Sequence, residues 1–199
     1  AFQSACPTMW KGMRTTATNS LITINNGAEV RNMQDGIIVS NNLGKIKVEG
    51  SKFFDNYISI QLSNITSNFG SALTGSYIIG NQFKTQPLTT SLLDPYTTQT
   101  RGEHGIKITN CPNITIGGNS NEKNNFENLY NGIYIKQNLS SNVISNINTS
   151  YNTFKNIKEG STLWGQSSPW QNPFNLDYRG CAIFGLNENL SHNITLRHT

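Results

Sequence analysis

Gly36-Ile37-Ile38-Val39, Gly105-Ile106-Lys107-Ile108 and Gly132-Ile133-Tyr134-Ile135 are versions of one phrase, a glycine followed by apolar residues at alternate positions. Gly12-Met13, Tyr57-Ile58-Ser59-Ile60 and Ala182-Ile183-Phe184 extend the series. Between copies lies a second phrase, apolar-x-apolar and then, after a short gap, Asn-x-Phe. It is seen in Tyr77-Ile78-Ile79-Gly80-Asn81-Gln82-Phe83 and in Val143 through Asn152-Thr153-Phe154. Lys45-Ile46-Lys47-Val48 with Ser51-Lys52-Phe53 is the same phrase without its Asn. Self-similarity at such a period marks a stacked repeat.

With Met13, Ile37, Ile58, Ile106, Ile133 and Ile183 as markers, the steps are 24, 21, 48, 27 and 50 residues. The two long steps each hold one copy of the second phrase. They therefore read as single turns carrying insertions, at about residues 86–103 and 158–179. Short alternating runs bounded by Gly, Asn, Asp and Ser are half-buried strands, and no stretch sustains a helical period. Ile, Val, Phe and Asn stand where a leucine-rich repeat would need Leu.

The pattern predicts an all-β chain, a right-handed parallel β-helix of about six turns forming one unit over residues 1–199. Stacked at about 4.8 Å per turn, it would be a rod roughly 29 Å tall. Its inward column is expected to be Ile37, Ile58, Ile106, Ile133 and Ile183, with Val39, Ile60, Ile108 and Ile135 beside it. Asn makes up 29 of 199 residues, with Asn32, Asn56, Asn81, Asn110, Asn131 and Asn152 at strand ends. Such residues form left-handed corners or hydrogen-bonded ladders along the stack.

Charged residues are 13% of the chain and the net charge is +4. Without a Lys/Arg cluster or RNA-type aromatic motif, no nucleic-acid partner is expected. No apolar run is long enough to span a membrane. The chain opens on Ala1 without a signal peptide and closes just after the uncapped strand phrase Asn193-Ile194-Thr195-Leu196, so a segment of a longer protein, or a mature piece of one, is expected. Cys6, Cys111 and Cys181 are an odd set on different turns, which favours small buried thiols over a disulfide framework or zinc.

Cys6-Pro7-Thr8-Met9-Trp10-Lys11-Gly12-Met13, followed by Ala28 through Ile37, resembles the opening of a β-helix stretch in secreted Bacteroidota proteins. Those proteins often carry a type IX secretion sorting domain further along. The rest resembles the right-handed β-helix superfamily of pectate lyases, polygalacturonases and noncatalytic surface repeats. The resemblance implies an extracellular or cell-surface location. It leaves activity open, since the fold serves enzymes, adhesins and stalks alike.

Glycoside hydrolysis needs paired carboxylates. The outward positions of the recurring strand read Arg14, Ile38, Ser59, Lys107, Tyr134 and Phe184, none of them acidic. Calcium-assisted elimination needs several oxygen ligands, and Asp35 and Asp55 read more simply as turn formers. No catalytic residue, metal or other cofactor is therefore assigned. The enzymatic alternative is a polysaccharide lyase working without metal through Lys107, Lys136, Arg101 or His104.

The chemistry points more directly to a binding surface. Both insertions enter just before the recurring strand, so they are expected to wall a groove floored by Lys107, Tyr134, Lys136 and Phe184. Tyr96, Arg101, Trp164, Trp170, Phe174 and Tyr178 would supply the walls. Aromatic faces stack on sugars and cations pair with sugar carboxylates or sulfates. The expected function is adhesion or glycan binding, with other domains or subunits as further partners. A passive stalk is the third option, and rings that merely cover the coil's flank would fit it.

Overall fold

The computed structural model describes residues 2–3, 7–15, 20–40, 45–63, 76–86, 92–97, 99–111, 114–138, 145–157, 182–187 and 194–198. These form eighteen strands and, among the described residues, no helix. In chain order they are β1 (Phe2–Gln3), β2 (Met13–Thr15), β3 (Leu21–Ile24), β4 (Glu29–Arg31), β5 (Asp35–Ser40) and β6 (Lys45–Glu49). There follow β7 (Lys52–Phe54), β8 (Ile58–Ser63), β9 (Tyr77–Ile79), β10 (Gln82–Lys84), β11 (Gly102–Thr109) and β12 (Ile114–Ile116). The last are β13 (Asn125–Glu127), β14 (Leu129–Gln137), β15 (Ser145–Thr149), β16 (Thr153–Lys155), β17 (Ile183–Asn187) and β18 (Ile194–His198).

Every third strand pairs in parallel, giving three six-stranded sheets: β1-β4-β7-β10-β13-β16, β2-β5-β8-β11-β14-β17 and β3-β6-β9-β12-β15-β18. This is the architecture of a parallel β-solenoid. Each level, one strand from each sheet, is a triangular coil that buries its inward face only by lying on its neighbours.

The first sheet sends Val30, Phe53, Phe83, Phe126 and Phe154 inward in register. The four rings stack with centroids 5.0, 4.7 and 5.0 Å apart. The second sheet contributes Met13, Ile37, Ile60, Ile106, Ile133 and Ile183. Ile24, Val48, Ile78 and Ile116 close the triangle from the third.

The second sheet corrects one expected register. Ile60, not Ile58, aligns with Ile37 and Ile106, and Leu62 aligns with Val39 and Ile108. Ile58 instead pairs with Asp35 and His104 at the strand entrance, and the outward partner of Ile38 and Lys107 is Gln61, not Ser59. The cause is steric. Ser59 belongs to the small-residue column beside the Ile column, with Gly36, Gly105 and Gly132. A Cβ on Gly105 would lie 2.6 Å from Phe126 Cδ1, and one on Gly132 2.5 Å from Phe154 Cε1. The glycine of the recurring phrase is thus the space required by the phenylalanine of the other phrase.

Asparagine does two jobs. Asn32, Asn110, Asn128 and Asn156 turn corners with φ of 57°, 50°, 59° and 52°, and Asp55 does the same at 57°. Asn81, Asn124 and Asn152 form a ladder. Asn81 Nδ2 donates to Asn124 Oδ1 (3.1 Å), and Asn124 Nδ2 donates to Asn152 Oδ1 (2.9 Å). Each amide also donates to the third-sheet strand of the level before, at Val48, Ile78 and Ile116 oxygens. Buried corner carbonyls are satisfied this way without water. Asn124-Asn125-Phe126 is a further copy of Asn-x-Phe. Cys111 is buried with its thiol donating to Thr109 O at 3.2 Å, whereas Cys6 and Cys181 lie outside the described residues.

Candidate functional site

The two expected insertions share a corner. Both join a first-sheet strand to a second-sheet strand, β10 to β11 and β16 to β17. Between them β13 passes to β14 through the single residue Asn128. Gly102 and Glu103, expected in the first insertion, are already strand. A third long connection, 64–76 between β8 and β9, has no counterpart in the repeat phrases.

Residues 92–97 of the first insertion are laid down on the coil. Leu92 is buried, and Met9 N donates to Asp94 O at 2.8 Å beside a parallel bridge between Thr8 and Asp94. Tyr96 lies flat on Tyr57, with centroids 3.6 Å apart and planes 7° from parallel. Residues 92–97 thus reach from the β10–β11 connection back to the segment before β2. The second insertion, with Trp164, Trp170, Phe174 and Tyr178, lies outside the described residues.

Four expected site residues come together on the outer face of the second sheet. Lys107, Tyr134 and Phe184 are in register on β11, β14 and β17, with Lys136 two residues beyond Tyr134. His104 stacks on Tyr134 (4.7 Å) and Tyr134 on Phe184 (5.3 Å), while Lys107 Nζ lies 5.9 Å from the Tyr134 ring centroid. His104 and Tyr134 are buried, each ring against the other, and Lys107, Lys136 and Phe184 are half-buried. His104 Nδ1 is 3.3 Å from Asn131 Nδ2. With the amide donating, the imidazole is the Nε2–H tautomer.

Arg101 stands apart from this column, immediately before β11. Its Nη1 donates to Asn156 O at 2.7 Å, spanning from the β11 level to the corner after β16.

Acidic groups that the sequence did not place here line the same entrance. Asp35 starts β5 and aligns, through Ile58, with His104. Burial holds its carboxyl above the usual range, against the lowering effect of the Lys107 and Arg14 charges. Glu103 is buried beside His104. The Tyr96 phenol is pushed up by burial first, then by Asp35 and Glu103. Asp55, by contrast, is the expected corner former, and its Oδ1 accepts from Gln86 N at 2.6 Å. Among the described residues, no three His, Cys, Asp or Glu side chains converge on one point.

Comparison with family models, curated proteins and solved structures gives no match. What the site does rests on its own chemistry.

Proposed function

We propose that the chain is a right-handed β-solenoid module of about six turns in a secreted, surface-associated protein, and that it binds an acidic glycan without catalysis. The supporting observation is the column on adjacent strands, His104–Tyr134–Phe184, with the Lys107 ammonium against Tyr134. His104 and Tyr134 are buried against each other, so the row that a ligand would meet is Gln61, the Lys107 ammonium and the half-buried Phe184. From Gln61 to Phe184 the row spans three strand spacings, about 14 Å, the reach of a short oligosaccharide. Ring stacking on Phe184 and charge pairing at Lys107 would then select a sugar bearing carboxylates or sulfates. A secreted Bacteroidota protein with a type IX sorting domain is the setting we favour.

Affinity electrophoresis through gels containing polygalacturonate, with neutral dextran as reference, tests this. Retardation in the acidic gel alone, lost in a Lys107→Ala, Phe184→Ala double variant, is expected. Equal mobility of both proteins in both gels rejects it.

A second reading, metal-free elimination on a polyuronate, is favoured by one observation, the grouping of Asp35, Glu103, Tyr96 and His104 at the same entrance. A base there would take the proton beside the sugar carboxylate and a phenol would protonate the departing oxygen. Growth of ultraviolet absorbance from an unsaturated uronate would establish it and displace the noncatalytic reading.

A further inference from the structure

Tyr151 occupies a backbone position that two other levels give to glycine. Gly50, Gly80 and Tyr151 each stand two residues ahead of a first-sheet strand, with φ of 58°, 69° and 49°. Left-handed backbone costs a residue with a β-carbon roughly 1–2 kcal/mol. Among the described residues the other non-glycine left-handed corners are Asn and Asp, whose short polar side chains ease that cost. Tyrosine has no such relief. Packing does not offset it either, because Tyr151 is 50% exposed. Backbone strain without a packing return marks a functional position.

A groove lies just beyond it in the chain. On the outer face of the first sheet Gln82, Asn125 and Thr153 form one row in register, and Lys84, Glu127 and Lys155 form a second. The rows stand about 7 Å apart along the strands, and they line a depression of about 280 Å³. Gln82, Asn125, Thr153 and Lys155 are exposed. The Thr153 hydroxyl donates to Asn125 Oδ1, which fixes that amide. Asn125 Nδ2 and the Gln82 amide have no protein partner among the described residues. In the facing row, Glu127 Oε2 pairs with Lys84 (3.0 Å) and Oε1 with Lys155 (3.4 Å). The Lys84 hydrogen bond holds the Glu127 carboxyl below its ordinary range, so it is ionised at neutral pH. An anion would face Glu127 and a cation would face two ammoniums, so neither charge is favoured. A neutral ligand rich in hydroxyls uses every group, since each hydroxyl both donates and accepts. Three levels span about 10 Å, the length of about two sugar rings.

We propose that Tyr151 and this groove form a second binding site, for a neutral saccharide chain. One sugar ring stacks on Tyr151, and the hydroxyls of the next are held by Asn125, Gln82 and Glu127. The site lies on a different sheet from Lys107 and Phe184 and stands without the acidic-glycan reading. With both sites filled, the rod would bridge a neutral and an acidic polymer.

The test is titration calorimetry with cellohexaose, mannohexaose and maltohexaose, and with hexagalacturonate as the acidic probe. The proteins are wild type, Tyr151→Gly, Tyr151→Phe, Asn125→Ala and the Lys107→Ala, Phe184→Ala double variant, with urea unfolding of each alone. Wild type is expected to bind at least one neutral hexasaccharide. Tyr151→Gly and Asn125→Ala should each weaken that binding about fivefold to tenfold, while Tyr151→Phe, which keeps the ring, should weaken it little. The double variant should keep the neutral binding. Because glycine relieves the left-handed strain, unliganded Tyr151→Gly is expected to unfold at no lower urea concentration than wild type. Wild type that binds no neutral hexasaccharide overturns the proposal, as does full affinity in Tyr151→Gly or Asn125→Ala. So does a Tyr151→Gly midpoint well below wild type that Tyr151→Phe restores, since the ring would then be structural cover. Neutral binding lost only in the double variant places that ligand on the second sheet and overturns this site. Neutral binding without hexagalacturonate binding supports this site and rejects the acidic-glycan reading.

Discussion

Gly105 lies directly against Phe126, so that a Cβ at position 105 would come 2.6 Å from the ring's Cδ1 and 2.8 Å from Gly132 O. A backbone oxygen of the next strand cannot yield, and the ring is held between Phe83 and Phe154. Gly105→Ala is expected to destabilise by about 1–3 kcal/mol through overpacking, measured as a lower urea midpoint. Gly185, with nothing within 4 Å of its virtual Cβ, is the control. Gly185→Ala should change the midpoint little or raise it slightly. Adding Phe126→Leu to Gly105→Ala should cost less than the two changes separately, since the smaller side chain releases the clash.

Asn124 is fully buried and joins three levels of the coil. It accepts from Asn81 N (3.0 Å) and Asn81 Nδ2, and donates to Ile78 O and Asn152 Oδ1. Asn124→Leu would strip Asn81 N and Asn152 Oδ1 of these bonds, whereas Ile78 O keeps Gly117 N and Asn81 Nδ2 keeps Val48 O, so a loss of about 2–3 kcal/mol is expected. Asn125→Ala, one residue on and exposed, should cost far less. Equal urea midpoints for the two variants would show that the ladder contributes nothing.

Asp35 gives the protein a pH signature. Its folded pKa is raised above 3.8, with burial the leading cause. A raised carboxylate contributes stability that is complete below its unfolded pKa and lost as pH rises through the folded value. Asp35→Asn is therefore expected to melt higher than wild type at neutral pH, the gap closing as pH falls from the raised value to about 3.8. A variant melting lower at neutral pH would mean that Lys107 and Arg14 outweigh the burial.

The Tyr96–Tyr57 stack holds residues 92–97 in place. An aromatic pair of this kind contributes about 1 kcal/mol, so Tyr96→Ala should speed local opening about fivefold. Hydrogen exchange at the Met9 amide, which donates to Asp94 O, reads this directly. The Ile46 amide, bonded to Ser76 Oγ on the third sheet, should exchange as in wild type.

The repeat phrases carried the parallel all-β architecture because each apolar position has the same job at every level. The Asn ladder and the corners were legible for the same reason. The misplaced Ile58 shows the limit. Tyr57-Ile58-Ser59-Ile60 offers two isoleucines two residues apart, and both alternate correctly. Only the first-sheet rings, which need a small residue beside them, decide for Ile60. Asp35, two residues before Ile37 as His104 is two before Ile106, reads from the sequence as a turn former, and only packing shows that its carboxyl is buried at the strand entrance. Glu103 was assigned to an insertion by length alone, whereas backbone pairing carries β11 back to Gly102. The site's ionisable groups come from different levels, and their meeting is set by register, not spacing.

The tie between residues 92–97 and residues 8–9 bears on how the molecule comes apart. In a stack whose levels touch only their neighbours, end levels fray independently and the middle outlasts them. Here the segment before β2 is fastened to the connection leaving β10, skipping the levels between. The first strands cannot peel away without releasing a contact anchored three levels on, so that end is expected to melt as one cooperative block.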